Sequence, residues 1–446
     1  MMTPRTLPAT ATLLFAICLS RSTQAQVYTT VDTYAGNGVP ALVDGPLLTA
    51  SFNAPYSVCY DLLSSTMYVA DALNSAIRKI QNGVVTTVAG NGTIGDVDGN
   101  GASARFYTPT GIDYHDGYIY VCDNGNHKIK RIDSAGNVTT FAGTGASGSS
   151  DGLALSANFY NPTEVRVNSS GVVYVSDYGN HTIRKIQAGY VSTVAGLAGS
   201  SGDAIGSGSA ARFNRPTGIA FDEDDNLYIA DQVNCKVKVI SPIGDVTLLA
   251  GSGYEFVQDG QGSAASFMRP TFMGWDPSGA LMIGEWLSNR IRRVTVGGTV
   301  TTVAGSGIAG YEDGPCNNAQ FSSPYGVCVD NLGNGYIGDK LNNRIRRLNK
   351  DNAGIGFDDV QESAALVAYP NPVEHTLSID RSVLKERIKR LVIMDAGGRI
   401  HMNVDQVLGS TQDKPLLLPV DELPSGAYVV ILNTSERSLS APFIKL

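Results

Sequence analysis

The chain has few of the residues from which a redox or thiolate-metal centre is built. Its 446 residues include six cysteines and two tryptophans, and no two cysteines stand in a CxxC spacing. Composition therefore gives no basis for a dithiol centre or a CxxC-type metal site. Basic residues are outnumbered, 33 Lys and Arg against 41 Asp and Glu, for a net charge of −8. That balance argues against nucleic acid and anionic membrane as partners. Beyond the first 25 residues no apolar run approaches the ~20 residues of a membrane helix. A helical period is missing as well.

The first segment reads as a secretory signal. Arg5 is followed by the apolar "LLFAICL" at 13–19 and by "TQA" before Gln26, which places cleavage after Ala25. Cys18 makes a poor lipobox. Loss of Arg5 and Arg21 takes the net charge to −10. Five cysteines remain, Cys59, Cys122, Cys235, Cys316 and Cys328, so at least one thiol is unpaired within a monomer.

Repetition is abundant. "ASFNAP" at 50–55 returns as "ARFYTP" (104–109), "ANFYNP" (157–162), "ARFNRP" (211–216), "ASFMRP" (265–270) and "AQFSSP" (319–324). The spacing is 54, 53, 54, 54 and 54 residues, and Ala, Phe and Pro never change. Such a period calls for a repeat architecture. In the copy at 211–251, "PTGIAFD", "NLYIAD", "CKVKVI" and "DVTLLAG" read as four short strands separated by Gly, Asp and Asn. Six such units predict an all-β fold, a six-bladed β-propeller. The fourth-strand motif appears first as "VDTYAG" at 31–36, before any blade, and the last blade stops at "RIRRLNK" (344–350) without one. Residues 27–36 are therefore expected to supply the outer strand of the last blade and remove its free edge. Cys59 and Cys328 share one repeat position in the first and last blades. Closure makes them neighbours, either as a disulfide or as small buried hydrophobes.

The third strand opens with "DALNSAIRKI" (71–80), "DNGNHKIKRI" (123–132), "DYGNHTIRKI" (177–186), "DQVNCKVKVI" (231–240) and "DKLNNRIRRL" (339–348). This pattern resembles the NHL repeat over about 27–350. The resemblance implies a propeller that serves in recognition, with a few lyases and lactonases among its relatives. The acids Asp71, Asp123, Asp177, Asp231, Glu285 and Asp339, with the Asn three residues later, are expected to bond the turn backbone. A cation-attracting ring is the alternative. The pairs Arg78–Lys79 and Arg346–Arg347 are expected to lay their stems between blades with charges at the rim. His127 and His181 sit at equivalent positions that Ser75, Cys235 and Asn343 also fill, which disfavours zinc.

The Pro of the six-residue motif is expected to start the innermost strand, with Ala and Phe plugging the incoming loop. An Asp–Gly turn precedes each Phe by eight residues, at Asp44, Asp98, Asp151, Asp259 and Asp313; Ile205 stands there in blade four. "DVDGNG" at 96–101 imitates the start of an EF-hand, but Tyr107 occupies its twelfth position. Calcium is the one cofactor left open, and no metal site is assigned.

Loops entering strand one and turns leaving strand two share a face. Those loops are long and Gly-rich, so this face is expected to be functional. Two residues past the Pro stand Ser57, Gly111, Glu164, Gly218, Phe272 and Gly326; only Glu164 ionises, and no Ser–His–Asp set is visible. No catalytic residue is assigned. Blade five carries both Trp275 and Trp286, and blades six and one carry Tyr325 and Tyr56 after the Pro where the others have Thr. Tyr56, Glu164, Phe272, Trp286 and Tyr325 are the candidate contacts, the aromatic ones as a stacking arc at the channel mouth and Trp275 as packing.

The acidic stretch at 351–364 reads as a linker. "YPNPVEHTLSI" (369–379), "RLVIMDAGGRI" (390–400), "LPSGAYVVIL" (423–432) and "FIKL" follow in order. They resemble the C-terminal sorting domain of the type IX secretion system of Bacteroidota, which implies a small β-sandwich at 365–446, read by the translocon after periplasmic transit. The expected protein is secreted or surface-bound. Its propeller recognises an extracellular glycan or protein, with a lactonase-like hydrolase or lyase, or an extracellular-matrix component, as alternatives.

Overall fold

The computed structural model describes residues 28–330, 332–350, 368–369, 373–379, 390–395, 400–405, 416–433 and 438–446. The signal segment at 1–25 and the linker at 351–364 lie outside the described residues.

Six antiparallel sheets radiate from a central axis. In blade three the strands run from the axis outward as Pro162–Val167, Val173–Asp177, Thr182–Gln187 and Tyr190–Ala195. A two-residue strand, Gly152–Leu153, then pairs with the outer edge of the fourth. That fifth strand was not expected. It comes from the residues just after the Asp of the Asp–Gly turn, and every blade has one. Innermost strands pack on both neighbours, and the sixth packs on the first, which closes the ring. As expected, Tyr28–Ala35 completes blade six, running antiparallel to Arg344–Lys350 with Val31 opposite Leu348. Arg347 grips Asp32 from across this pair at 3.1 and 2.6 Å.

One ionic arrangement recurs through the blades. In blade one, Arg78 Nη1 donates to Asp71 Oδ2 at 2.7 Å and Nη2 to Asp44 Oδ1 at 2.8 Å. Arg78 and Asp71 are fully buried; Asp44 is half exposed. The guanidinium lies 5.1 Å over the Phe52 ring. Asp44 also holds the outer strand through Thr87 N at 3.0 Å and Thr87 Oγ1 at 2.9 Å. The same set joins Arg184, Arg292 and Arg346 to Asp177, Glu285 and Asp339, over Phe159, Phe267 and Phe321. This corrects the rim reading for the first member of each basic pair. Its charge is buried, whereas Lys79 and Arg347 stay at the surface. It also shows what the unchanging Phe does: it is a floor for a buried cation.

Blades two and four use Lys in that place. A lysine has no fork to span two acids, and the loop compensates. Lys130 meets both Asp96 and Asp98, at 3.0 and 3.1 Å. Lys238 meets Asp203 at 2.9 Å and Asp231 at 2.8 Å, which explains how blade four tolerates Ile205. The carboxylates of the EF-hand-like stretch thus reach Lys128 and Lys130.

Neighbouring blades are stapled by the residue that caps the short turn after strand two. His127 and His181 adopt left-handed φ of 54° and 61° there. Their Nδ1 atoms accept the backbone N–H of Asn161 and Arg215 in the next blade, at 3.2 and 3.0 Å. Asn289 and Asn343 do the same with Oδ1 toward Ser323 and Ala54, both at 3.0 Å. Burial lowers both histidine pKa values, which keeps the rings neutral and able to accept. The two histidines are staples.

The C-terminal unit has one sheet of Ala368–Tyr369, Thr376–Ile379 and Leu416–Pro419. Its second sheet has Ile400–Asp405, Arg390–Asp395, Gly426–Asn433 and Ser438–Lys445. Leu377, Leu391, Ile393, Val430 and Phe443 fill the space between them, giving the expected sandwich.

Two measurements test the clamp and the closure. Asp177→Ala strands the Arg184 charge in the interior and is expected to lower unfolding free energy by about 3–5 kcal/mol in denaturant melts. Removal of residues up to 35 leaves the Arg344–Lys350 edge bare, and light scattering is expected to show aggregation at temperatures where the intact chain is clear.

Candidate functional site

The six acids that end strand two do not face a ligand. Asp71 accepts the backbone N–H of Asn53 at 2.7 Å, the Asn74 amide at 2.8 Å and Arg78 at 2.7 Å. Asp123, Asp177, Asp231 and Asp339 have the same partners one repeat on. Glu285 and Ser288 follow the scheme with a longer acid and a shorter donor, 2.5 Å apart. All six are completely buried. The turn-bonding reading holds, and the cation-attracting ring is corrected: the carboxylates are consumed. Among the described residues no three His, Cys, Asp or Glu side chains stand close enough to hold a metal ion. The five cysteines are buried free thiols.

Inside the channel a threefold alternation appears. A Cβ placed on Gly111 would lie 2.5 Å from Glu164 Cα, one on Gly218 2.6 Å from Phe272 Cα, and one on Gly326 2.6 Å from Ser57 Cα. Blades two, four and six therefore carry Gly so that blades one, three and five can place Ser57, Glu164 and Phe272 in the axis. All three are fully buried. Glu164 and Phe272, expected at the mouth, sit below it as the plug. Glu164 Oε1 lies 2.5 Å from Arg166 Nη1, which also donates to Ile112 O at 2.7 Å. Burial outweighs the Arg166 charge and pushes the Glu164 carboxyl up to about 8.

Above the plug Tyr56, Trp286 and Tyr325 stand together, without Phe272 beside them at the mouth. Tyr325 is the centre of this group. Its ring centroid stands 4.7 Å from Tyr56, 5.8 Å from Phe272 and 6.2 Å from Trp286. Its hydroxyl feels Tyr178 of blade three and the Gln232 amide of blade four, so the side chain spans the mouth and floors it. Burial and the Tyr56 hydroxyl raise the Tyr325 pKa far above the usual phenol range. Tyr56 and Trp286 remain half-buried. Trp275 packs edge-on against Tyr228 at 5.1 Å, as expected.

The departure from Thr has a geometric meaning. Thr110, Thr163, Thr217 and Thr271 each donate to a carbonyl of the next blade, Thr110 to Thr163 O at 2.9 Å and Thr271 to Tyr325 O at 2.9 Å among them. Blades six and one give up that bond and turn a ring over the channel. From the position that follows each strand-two acid the sequence reading took only Trp286 and missed Ala72, Asn124, Tyr178, Gln232 and Lys340. Lys340 completes the site. Its Nζ stands 4.4 Å from the Tyr56 ring centroid and 4.9 Å from that of Tyr325. The signal for it was variation at a fixed repeat position, which only blade five made conspicuous.

With this geometry in view, comparison with known proteins places the chain in a class. The model of the NHL repeat matches residues 159–186 and 213–240. That of the secretion system C-terminal sorting domain matches 367–445. The chain carries NHL repeats in a six-bladed propeller and a sorting domain that directs type IX export to the cell surface or the medium. Protein SUPPRESSOR OF QUENCHING 1, chloroplastic, of Arabidopsis thaliana is 27% identical over 58% of this chain and 26% of its own length. NHL repeat-containing protein 2 of Bos taurus is 29% identical over 56% of this chain and 39% of its own length. The chain thus spans well under half of these curated relatives. A solved auxiliary nutrient binding protein of Bacteroides thetaiotaomicron shares the fold at 17% identity, with a TM-score of 0.56 over 73% of this chain and 77% of that one. No helix among the described residues is long and apolar enough to cross a membrane.

The Glu164 environment sets a pH test. The carboxyl binds its proton more tightly folded than unfolded, so its contribution is complete below about pH 4.5 and is lost as pH rises toward 8. Glu164→Gln removes that slope while Arg166 keeps its carbonyl partners. Melting temperatures from pH 4.5 to 8 are expected to fall more steeply for the wild type than for the variant.

Proposed function

We propose that the exported propeller is a non-catalytic recognition module for an extracellular glycan or protein, with the channel mouth as its contact face. The supporting observation is the Tyr56–Tyr325–Trp286 cluster. It gathers aromatic side chains of blades five, six and one over a plugged channel, at the positions where the repeat gives up its interblade threonine bond. Tyr56 and Trp286 keep part of their ring surface exposed, Tyr325 forms the floor, and Phe272 packs edge-on against it. A closed floor suits a ligand that rests on the face, and flat rings next to hydrogen-bond donors recognise amphipathic partners without chemistry.

The test is binding of the purified chain to a glycan and peptide array, beside Trp286→Ala. Binding lost at least tenfold in the variant supports the reading. Binding that survives the substitution moves the contact off this face, and an array without signal removes the reading.

A further inference from the structure

The chemistry of the mouth is one-sided. Lys340 is half-buried and has no carboxylate partner among the described residues; its ammonium is held only by the two tyrosine faces. Arg215, at the blade-four edge, is exposed, lies 5.5 Å over the Tyr178 ring and has no carboxylate partner among the described residues either. Between them the Tyr325 hydroxyl faces Tyr178 and the Gln232 amide. Gln232 is only 2% exposed and its amide donates to the Tyr325 hydroxyl, which fixes that ring across the mouth. The strand-two acids that could oppose these cations are spent in the blade clamps. The mouth of an acidic chain therefore presents two cations without a carboxylate partner among the described residues, beside aromatic faces.

We propose that the mouth takes an acidic saccharide, a pyranose bearing a carboxylate. This rests on the recognition reading and narrows it. The sugar's C–H face lies on Trp286 and Tyr56. Its carboxylate meets Lys340, with Arg215 guiding the approach. A saccharide fits better than an acidic peptide because the partly exposed rings of Trp286 and Tyr56 give flat faces on which a sugar's C–H face can stack, with the Lys340 ammonium 4.4 Å from the Tyr56 ring.

The test is calorimetric titration of the full chain with tetragalacturonate, with the neutral galactose tetrasaccharide and with a Glu-rich heptapeptide, in low and high salt. Tetragalacturonate is expected to bind about tenfold more tightly than the neutral sugar and to weaken with salt. Lys340→Gln is expected to erase that tenfold preference. Arg215→Gln, on an exposed side chain, repeats the test should Lys340→Gln melt early. Equal binding of both sugars, tighter binding of the peptide, or no binding of any probe overturns the inference. If a neutral sugar or peptide binds and Trp286→Ala abolishes it, the acidic ligand falls while the recognition reading stands.

Discussion

Everything else in the propeller is arranged around a cation buried on the face of a phenylalanine. A charge of that kind is expensive to remove from water, and breaking one partner of such a pair is worse than never having had it. Each blade answers with the same means. A fully buried acid ends strand two, a half-exposed acid arrives from the incoming loop, and loop carbonyls take further Nη–H groups, as Ser51 O and Val43 O do for Arg78, while the arginine Nε–H is left without a partner. The acid on the loop then grasps the outer strand through Thr87 and its counterparts. One ionic contact therefore ties the innermost loop, the middle strands and the outermost strand of a blade together. Lys or Arg is chosen in step with where the loop places its acid, as blades two and four show.

A scaffold so fully determined frees a few positions to vary. The residue after the Pro and the residue after the strand-two acid point at the mouth and take no part in the clamp. Four blades use the first of these for a threonine staple. Two exchange it for tyrosine, and the ring surface gathers between them and blade five. Recognition is expected where the repeat abandons its own rules, because the rules already account for stability.

The fold was legible in the sequence because period and pattern carry it. The strand order, the closure by residues 28–35 and the C-terminal sandwich all followed from motifs that repeat or occur in order. The aromatic arc was legible too, since Tyr56, Tyr325 and Trp286 break a repeat. Depth was not. Glu164 and Phe272 shared a register with the mouth residues in the one-dimensional pattern, and only the close approach of Gly111 and Gly218 shows that side chains there fall into the axis. The buried clamp was hidden for the opposite reason. A basic pair next to a strand reads as surface, and its first member goes inward because acids seven residues before it and 32–34 residues before it converge from two loops. Lys340 escaped notice because its partners are ring faces, which leave no charge pattern to find.

The strand at Tyr28–Ala35 has a consequence for the order of events in the cell. Its hydrogen-bonding partner is Arg344–Lys350, more than three hundred residues later. A chain threaded in order from its N-terminus presents the first strand before its partner in the last blade. During that interval blade six lacks its edge, blade one lacks a neighbour on one side, and the chain has two mutually sticky ends. Folding can therefore finish only as a late, single act of ring closure, with a long loop to close and slow kinetics. Until that closure the Arg344–Lys350 edge stands unpaired, and whatever keeps the exported chain soluble must cover it.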